Sequence, residues 1–359
     1  MTGTSPRKIV TPVITAWTAL SAFGAGRDAF AAGVAGRRTA VTAIDRAMWG
    51  TPDERAGLVP GFETRGVLGK KGTRGMNRVS GLAVATVRSL REEVAADAAT
   101  GLVLGTTTGS AQTMMETIRT ALQAALPYHT DPATTPYGVM NGAAGQCAIW
   151  QGLKGPNATI AAGRPTGLSA MSYARRLLLT GRARTVLFGA AEEYSRARSW
   201  LEFHAGDAGP LGEGCAIFAL TDGSAGDVPV LAEIAATEFG VCVDGDWKAA
   251  VARVTRRALA AAGPAAADVW AACASGAAGS AGTAESAALD AEVDAEVTLP
   301  ALPGLLGETH AVSAAFQLAA VLALAGRTPA AARRAAVLTS VDPASGTVAA
   351  AILRLGGTQ

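Results

Sequence analysis

The chain is poor in charge of either sign. Only 17% of its 359 residues are charged, and 31 Lys plus Arg against 29 Asp plus Glu leave a net charge of +2. That balance gives no electrostatic footprint for DNA or RNA. Cysteine is scarce: the four thiols Cys147, Cys215, Cys242 and Cys273 are widely scattered. No C-x-x-C pair or His cluster suggests zinc, so the thiols are expected to be reduced and structural, with no metal and no cofactor. No apolar run approaches the roughly 18 residues that span a membrane, and the polar stretch Met1 to Val10 has no apolar core of signal-peptide type. A cytoplasmic protein without a membrane partner is expected.

What the chain has is apolar mass, with 49% hydrophobic residues. This favours a compact α/β protein, and the length exceeds most single cores, so one large duplicated fold or two domains is expected. A β-branched run at Ile9 to Phe23 leads through Gly24 and Gly26 to a helical segment around Phe30 and Val34. Residues 37–75 carry turn signals at Gly50, Pro52, Pro60 and Gly72 and read as surface loop. Val79, Leu82, Val84, Val87, Leu90 and Val94 lie at helical spacing within 76–96. Gly101 to Gly109 is a buried strand feeding a Gly/Thr loop, too short of the G-x-G-x-x-G spacing to suggest a nucleotide site. A helix follows from about Gln112 to Ala125, then a Gly/Ala-rich helix over 136–153. Strands at 185–191 and 215–221 close a first half, and 223–228 reads as a polar connector.

The second half repeats the rhythm more briefly. It has a strand at 230–237, a helix at 247–262, a strand at 269–273, helices at 283–293 and 313–325, and strands at 336–340 and 346–353. Similar order in two βαβ-rich halves, 1–222 and 223–359, suggests an internal duplication forming one unit.

The most informative stretch is Gly155 to Gly167, where an apolar strand ends in a Gly-containing turn and a small-residue helix begins through Leu168, Met171, Ala174 and Leu178. Arg164 stands at the turn. A helix N-terminus favours a thiolate, whereas a guanidinium there meets the wrong end of the helix dipole, at a cost of a few tenths to about 1 kcal/mol unless a carboxylate offsets it.

The motifs GTTTG, VMNGAAGQ, LKGPN, FGAAEE and LGEG fall in register between Gly101 and Asp222, and by them the chain resembles the β-ketoacyl synthase superfamily over essentially its whole length. The resemblance implies a thiolase-like duplicated α/β fold, layered αβαβα with two mixed sheets. It also implies that Arg164 occupies the place of the acyl-accepting cysteine, a job a guanidinium cannot do because covalent catalysis needs an atom that attacks a thioester and later leaves. Of the two histidines that polarise the malonyl thioester, the first is replaced by Ser275 or, with a one-residue shift, Ala274. The second is replaced by Glu308, with His310 two residues later as the competing register. The family's lysine is lost near Pro303, and its late Gly-Phe-Gly-Gly loop reads Val341-Asp342-Pro343-Ala344-Ser345-Gly346.

Loss at every chemical position within an intact scaffold resembles the chain-length factors, the ketosynthase β subunits of bacterial type II polyketide systems. In their aromatic members glutamine usually replaces the cysteine, and Arg164 departs from that. The resemblance implies an active ketosynthase as heterodimer partner and an acyl carrier protein bearing the acyl or polyketide chain. It implies tunnel-lining positions at Ala111, Met114 and Ile118, three and four residues apart on one helix face, with Trp200 as tunnel floor on a loop at 194–203. Dimer contacts are expected at Met140, Asn141, Thr159, Ile160 and Ala161, with Cys147 packed near that interface. Facing positions in the family predict that Arg164 and Glu308 pair and plug the site, because a buried guanidinium needs a carboxylate. Glu192, Glu193 or Glu213 are the alternative partners. Two competing readings are a rebuilt acyltransferase or hydrolase using Ser275, Cys273 or His310, and a homodimeric regulatory protein.

Overall fold

The computed structural model describes residues 11–94, 96–206, 209–223 and 228–357. Met1 to Val10 and most of the 223–228 connector lie outside the described residues. Ten strands carry the fold: β1 (Val13–Ser21), β2 (Gly101–Gly105), β3 (Asn157–Ile160), β4 (Thr185–Glu192), β5 (Gly214–Thr221), β6 (Ala232–Val241), β7 (Val269–Cys273), β8 (Val297–Thr298), β9 (Ala335–Asp342) and β10 (Thr347–Leu355). A two-residue strand, Gly24–Ala25, pairs back on the end of β1.

The hydrogen-bonded order is β3-β2-β4-β5-β1-β6-β10-β9-β7-β8. The first five strands in chain order therefore run 3-2-4-5-1, and the second five, counted from β6, run 1-5-4-2-3. Directions repeat as well: β2 is parallel to β3 and β4, as β7 is to β8 and β9, while the remaining neighbours within each set are antiparallel. The two sheets expected from the sequence meet end to end through Val13↔Glu233 and Ile14↔Ala232, so they form one continuous mixed sheet.

Among the described residues, nine longer helices pack on it: α1 (Arg27–Gly36), α2 (Arg78–Glu93), α3 (Ala111–Gln123), α4 (Gly142–Gln151), α5 (Thr166–Leu179), α6 (Arg196–Ala205), α7 (Trp247–Ala262), α8 (Gly279–Glu292) and α9 (Ser313–Ala325). Strand side chains alternate between faces, and this divides the core into layers. Val186, Phe188 and Ala190 of β4 join α5 and α9 in a central cluster with Phe30 and Phe316, whereas Leu187 and Ala191 face α2 and α4. A third cluster sets α7 and α8 against the outer face of β6, β9 and β10. Helices α5 and α9 approach closely because Gly167 has no Cβ; one added there would lie 2.4 Å from Ala315 N.

Three local expectations change. Residues 37–75 include short helices at Arg46–Trp49 and Thr64–Leu68, and they bury Val59 and Phe62; apolar anchors outweigh the turn signals. The Gly/Ala segment splits into a 3-10 turn at Thr135–Tyr137 and α4, because Gly142 packs its Cα on Pro136 O. The stretch at 194–203 is helix α6 rather than loop, opened by Ser195, whose Oγ accepts from Arg198 N at 3.3 Å.

Candidate functional site

Arg164 sits in the β3–α5 turn with its side chain 4% exposed. The turn closes because Gly163 takes φ 62° and lies directly under the Asp342 carboxylate; a Cβ at that position would fall 2.1 Å from Oδ2. Only glycine fits, and this fixes the direction in which Arg164 leaves the backbone. Its Nη1 donates to Glu308 Oε2 in a close ion pair, and its Nη2 donates to Ser275 O at 2.9 Å. The three positions named from sequence, Arg164, Ser275 and Glu308, thus converge from the β3–α5 turn, the loop after β7 and the loop before α9.

Each partner is held in turn. Glu308 Oε1 accepts from His310 N at 2.8 Å, so the carboxylate bridges the guanidinium and its own loop. Ser275 is fully buried, and its N and Oγ donate to Glu285 of α8, which also accepts from Thr339 Oγ1 at 2.8 Å. Burial pushes the Glu285 carboxyl up, while hydrogen bonds from Ser275 and Thr339 and the nearby Arg164 charge pull it back. Glu285 was missed by sequence reasoning. Its signal was a lone acid on the buried stripe Ala281, Gly282, Ala288 and Leu289 of a small-residue helix.

The alternative acids have other partners. Glu213 makes a bidentate pair with Arg78, whose guanidinium also lies over Phe62 at 5.2 Å. Glu193 accepts from Ser110 Oγ at 2.8 Å and Val79 N at 3.0 Å. Glu192 accepts from Thr107.

His310 holds a left-handed backbone, φ 42°, unusual for a residue with a Cβ, and its Nε2 lies 3.1 Å from Glu202 Oε1, an ion pair when the ring is protonated. It therefore points to α6. Burial raises the Cys273 thiol to about 12, and Cys215 likewise, and Cys147 is pushed well above its ordinary range. Cys147 is fully buried against the sheet and α2, so its expected place beside an interface gives way to the core. A cavity of ≈ 610 Å³ remains beside the pair, lined by Arg164, Glu308, His310, Glu202, Gly276 and Asp342. Among the described residues, no cluster of His, Cys, Asp and Glu could hold a metal ion. Among the same described residues, no helix is long and apolar enough to cross a membrane.

Ala111 opens α3 and is 5% exposed, whereas Met114 and Ile118 on the same face are 39% and 53% exposed. Trp200 on α6 is half-exposed, donates from Nε1 to Gly50 O at 2.9 Å, and shares a groove with Met115 and Arg119 of α3 rather than with Met114 or Ile118. Strand β3, with Thr159 and Ile160, is the last strand on one side of the sheet; Ala161 follows it, exposed, and Met140 and Asn141 precede α4, also exposed. A Cβ on Gly109, just before α3, would fall 3.0 Å from Met140 Cα, and α3 is an amphipathic helix whose apolar face (Met114, Met115, Ile118, Leu122) is open.

A thiolase-like scaffold with an arginine–glutamate pair in the turn before its central helix defines a condensing-enzyme fold. The chain belongs to the β-ketoacyl synthases: residues 11–237 match the Beta-ketoacyl synthase, N-terminal domain family. It is similar to the solved ishigamide ketosynthase/chain length factor, with 42% identity over 97% of this chain and 100% of that one, at a TM-score of 0.92. A β-ketoacyl synthase from Burkholderia phymatum STM815 shares the fold at 20% identity and TM-score 0.81, covering 96% of this chain and 99% of its own. A type II acyl-carrier protein complex with its ketosynthase shares it at 16% identity and TM-score 0.79, covering 97% of this chain and 100% of that one. Among curated proteins, 3-oxoacyl-[acyl-carrier-protein] synthase 2 of Vibrio cholerae serotype O1 and of Vibrio harveyi are each 30% identical over 39% of this chain. The match spans 35% of the length of those relatives.

Proposed function

We propose that this chain is a non-catalytic chain-length factor, which heterodimerises with an active ketosynthase and shapes the tunnel that holds a growing polyketide or polyene chain delivered on an acyl carrier protein. The observation that carries the reading is the Arg164–Glu308 pair. A nucleophile must present an attackable lone pair in an open site, and here the turn presents a guanidinium already neutralised by a carboxylate. The similarity to a ketosynthase/chain length factor over nearly the whole chain supports it. The open apolar face of α3 and the unpaired outer side of β3 support a partner on these surfaces, where Ala111, Met114 and Ile118 would line the tunnel and Met140, Asn141, Thr159, Ile160 and Ala161 the interface. The halves 1–222 and 223–359 are proposed as one unit with a single partner surface.

A rebuilt acyltransferase or hydrolase fits poorly. Ser275 and Cys273 are fully buried, the Cys273 thiol is raised to about 12, and His310 turns to Glu202. A nucleophile and base within reach in a pocket are required, and the three candidates each have a different partner.

The test is co-expression with a ketosynthase of the same pathway, purification by a tag on this chain alone, and mass measurement of what elutes. A one-to-one complex is expected, which elongates malonyl units only while the partner's cysteine is intact. A homodimer that ignores the ketosynthase overturns the reading in favour of a regulatory protein.

A further inference from the structure

The first turn of α3 is bound to three other elements by side-chain hydrogen bonds. Ser110 caps the helix, its Oγ accepting from Thr113 N at 3.1 Å, and the same hydroxyl donates to Glu193 Oε1 at 2.8 Å. The other Glu193 oxygen accepts from Val79 N, in the first turn of α2, at 3.0 Å. Asn77, the cap of α2, donates from Nδ2 to Thr113 Oγ1 at 3.3 Å. Gln112 Oε1 accepts from Ala197 N, in the first turn of α6, at 2.9 Å. Arg198 of α6 returns to the backbone of Glu193, its Nη1 donating to the carbonyl at 2.8 Å.

Helix starts carry unsatisfied N–H groups, and here Glu193 serves one of α2 directly and one of α3 through Ser110, while Gln112 serves one of α6. The consequence is local. Ala111, at the clamped end of α3, and Trp200, on α6, are tied to a common frame, whereas Ile118 and Leu122 further along α3 are exposed on an unclamped face.

We propose that Glu193 and Gln112 are positioning residues, which fix the start of α3 against α2 and α6 and so set the position of Ala111 at the tunnel mouth. The inference rests on the chain-length reading for its functional part; the clamp itself stands on the hydrogen bonds. Because Glu193 is 2% exposed, burial raises its carboxyl to about 7, against hydrogen bonds from Ser110 and Val79 and with the Glu192 and Glu213 carboxylates adding to the rise. Arg78 from α2 and Arg198 from α6 are the cations in this neighbourhood. Both protonation states fit the clamp. The ionised carboxylate accepts from Ser110, and the protonated one donates to Ser110 Oγ, whose own proton then turns to Thr113 Oγ1 at 3.0 Å.

That chemistry selects the variants. Glu193→Ala removes both bonds, whereas Glu193→Gln keeps an acceptor for Val79 N–H and a donor for Ser110. Gln112→Ala cuts the link to α6 and an exposed bond to Glu116 of its own helix, at a half-exposed site. Amide hydrogen exchange on the purified full-length chain reads the clamp without any partner. Glu193→Ala is expected to speed exchange at Thr113 and Met114 and at the start of α2, Gln112→Ala to speed it at Ala197, and Glu193→Gln to restore wild-type protection. Unchanged exchange in both Ala variants overturns the clamp, with Gln112→Ala deciding the matter if Glu193→Ala fails to fold. In the complex with an active ketosynthase, the Ala variants are expected to spread product over neighbouring chain lengths, and Glu193→Gln to keep the wild-type distribution. Faster exchange with unchanged product lengths keeps the clamp and overturns its role in the tunnel mouth. A wild-type chain that supports no elongation refutes the chain-length reading itself and leaves the exchange result standing.

Discussion

Removing the Arg164 side chain while keeping its bulk is the sharpest perturbation of the Arg164–Glu308 site. Arg164→Met leaves Glu308, 12% exposed in its side chain, without its cation, and withdraws the positive charge that holds the Glu285 carboxyl down. Breaking a buried pair from one side costs about 3–5 kcal/mol because the remaining charge stays desolvated. The folding entropy of about 2.1 cal/mol/K per residue gives roughly 0.75 kcal/mol/K for a chain of 359 residues, so this loss corresponds to a fall in Tm of about 4–7 °C. Glu308→Gln alone leaves the guanidinium without a neutralising carboxylate and is expected to cost a similar amount. The double variant Arg164→Met with Glu308→Gln has no charge left to desolvate and is expected to recover about 1–3 kcal/mol relative to the sum of the singles. Denaturant unfolding of all four proteins, held in the same oligomeric state, measures the coupling. Additive losses, or single variants within about 0.5 kcal/mol of wild type, refute a pair that holds the site shut.

Arg78→Met is expected to destabilise by about 3–5 kcal/mol, since Glu213 is fully buried and loses a bidentate partner; an unchanged unfolding midpoint contradicts this. Ala111→Phe in the complex is expected to shorten the product without dissociating the subunits, read by mass spectrometry of released chains. The same product length would remove Ala111 from the tunnel. Glu193 predicts a pH dependence with a definite sign. Burial raises its carboxyl from the ordinary 4.5 to about 7, so the folded chain holds a proton that the unfolded chain releases. The stability it contributes is complete below about 4.5 and is lost as pH rises through 7, a change on the order of 3 kcal/mol. Glu193→Gln is expected to flatten that part of the profile, and parallel curves for the two proteins would show that the carboxyl is not the group titrating.

The layers of the fold were legible because they depend on period and burial alone. The continuous apolar run of β4 and the small-residue stripes of α5 and α9 are written in the sequence, whereas the duplicated strand order is set by the pairings between strands. Helix α6 was not legible, because its start depends on Gln112 from another element and on the Ser195 cap, set among Arg196, Arg198 and Trp200, which have no apolar rhythm. The short helices in 37–75 were hidden for a related reason: Phe62 is held by Arg78 stacked above it, a contact sixteen residues away.

The Arg164–Glu308 pairing could be anticipated from charge, since a cation at a buried helix start demands a carboxylate. Spacing alone could not separate Glu308 from Glu192, Glu193 and Glu213. The choice is made by where the other acids are held: each serves backbone N–H groups, hydroxyls or a second arginine within its own half. Glu308 comes from the other half of the duplication, as do Ser275 and Glu285. The closed site is therefore assembled at the seam where α5 meets α9, from one residue of the first half and a loop-borne carbonyl and carboxylate of the second. Loss of one charge at that seam leaves its partner buried from the opposite half, which couples the Arg164–Glu308 pair to the packing of the two halves against each other.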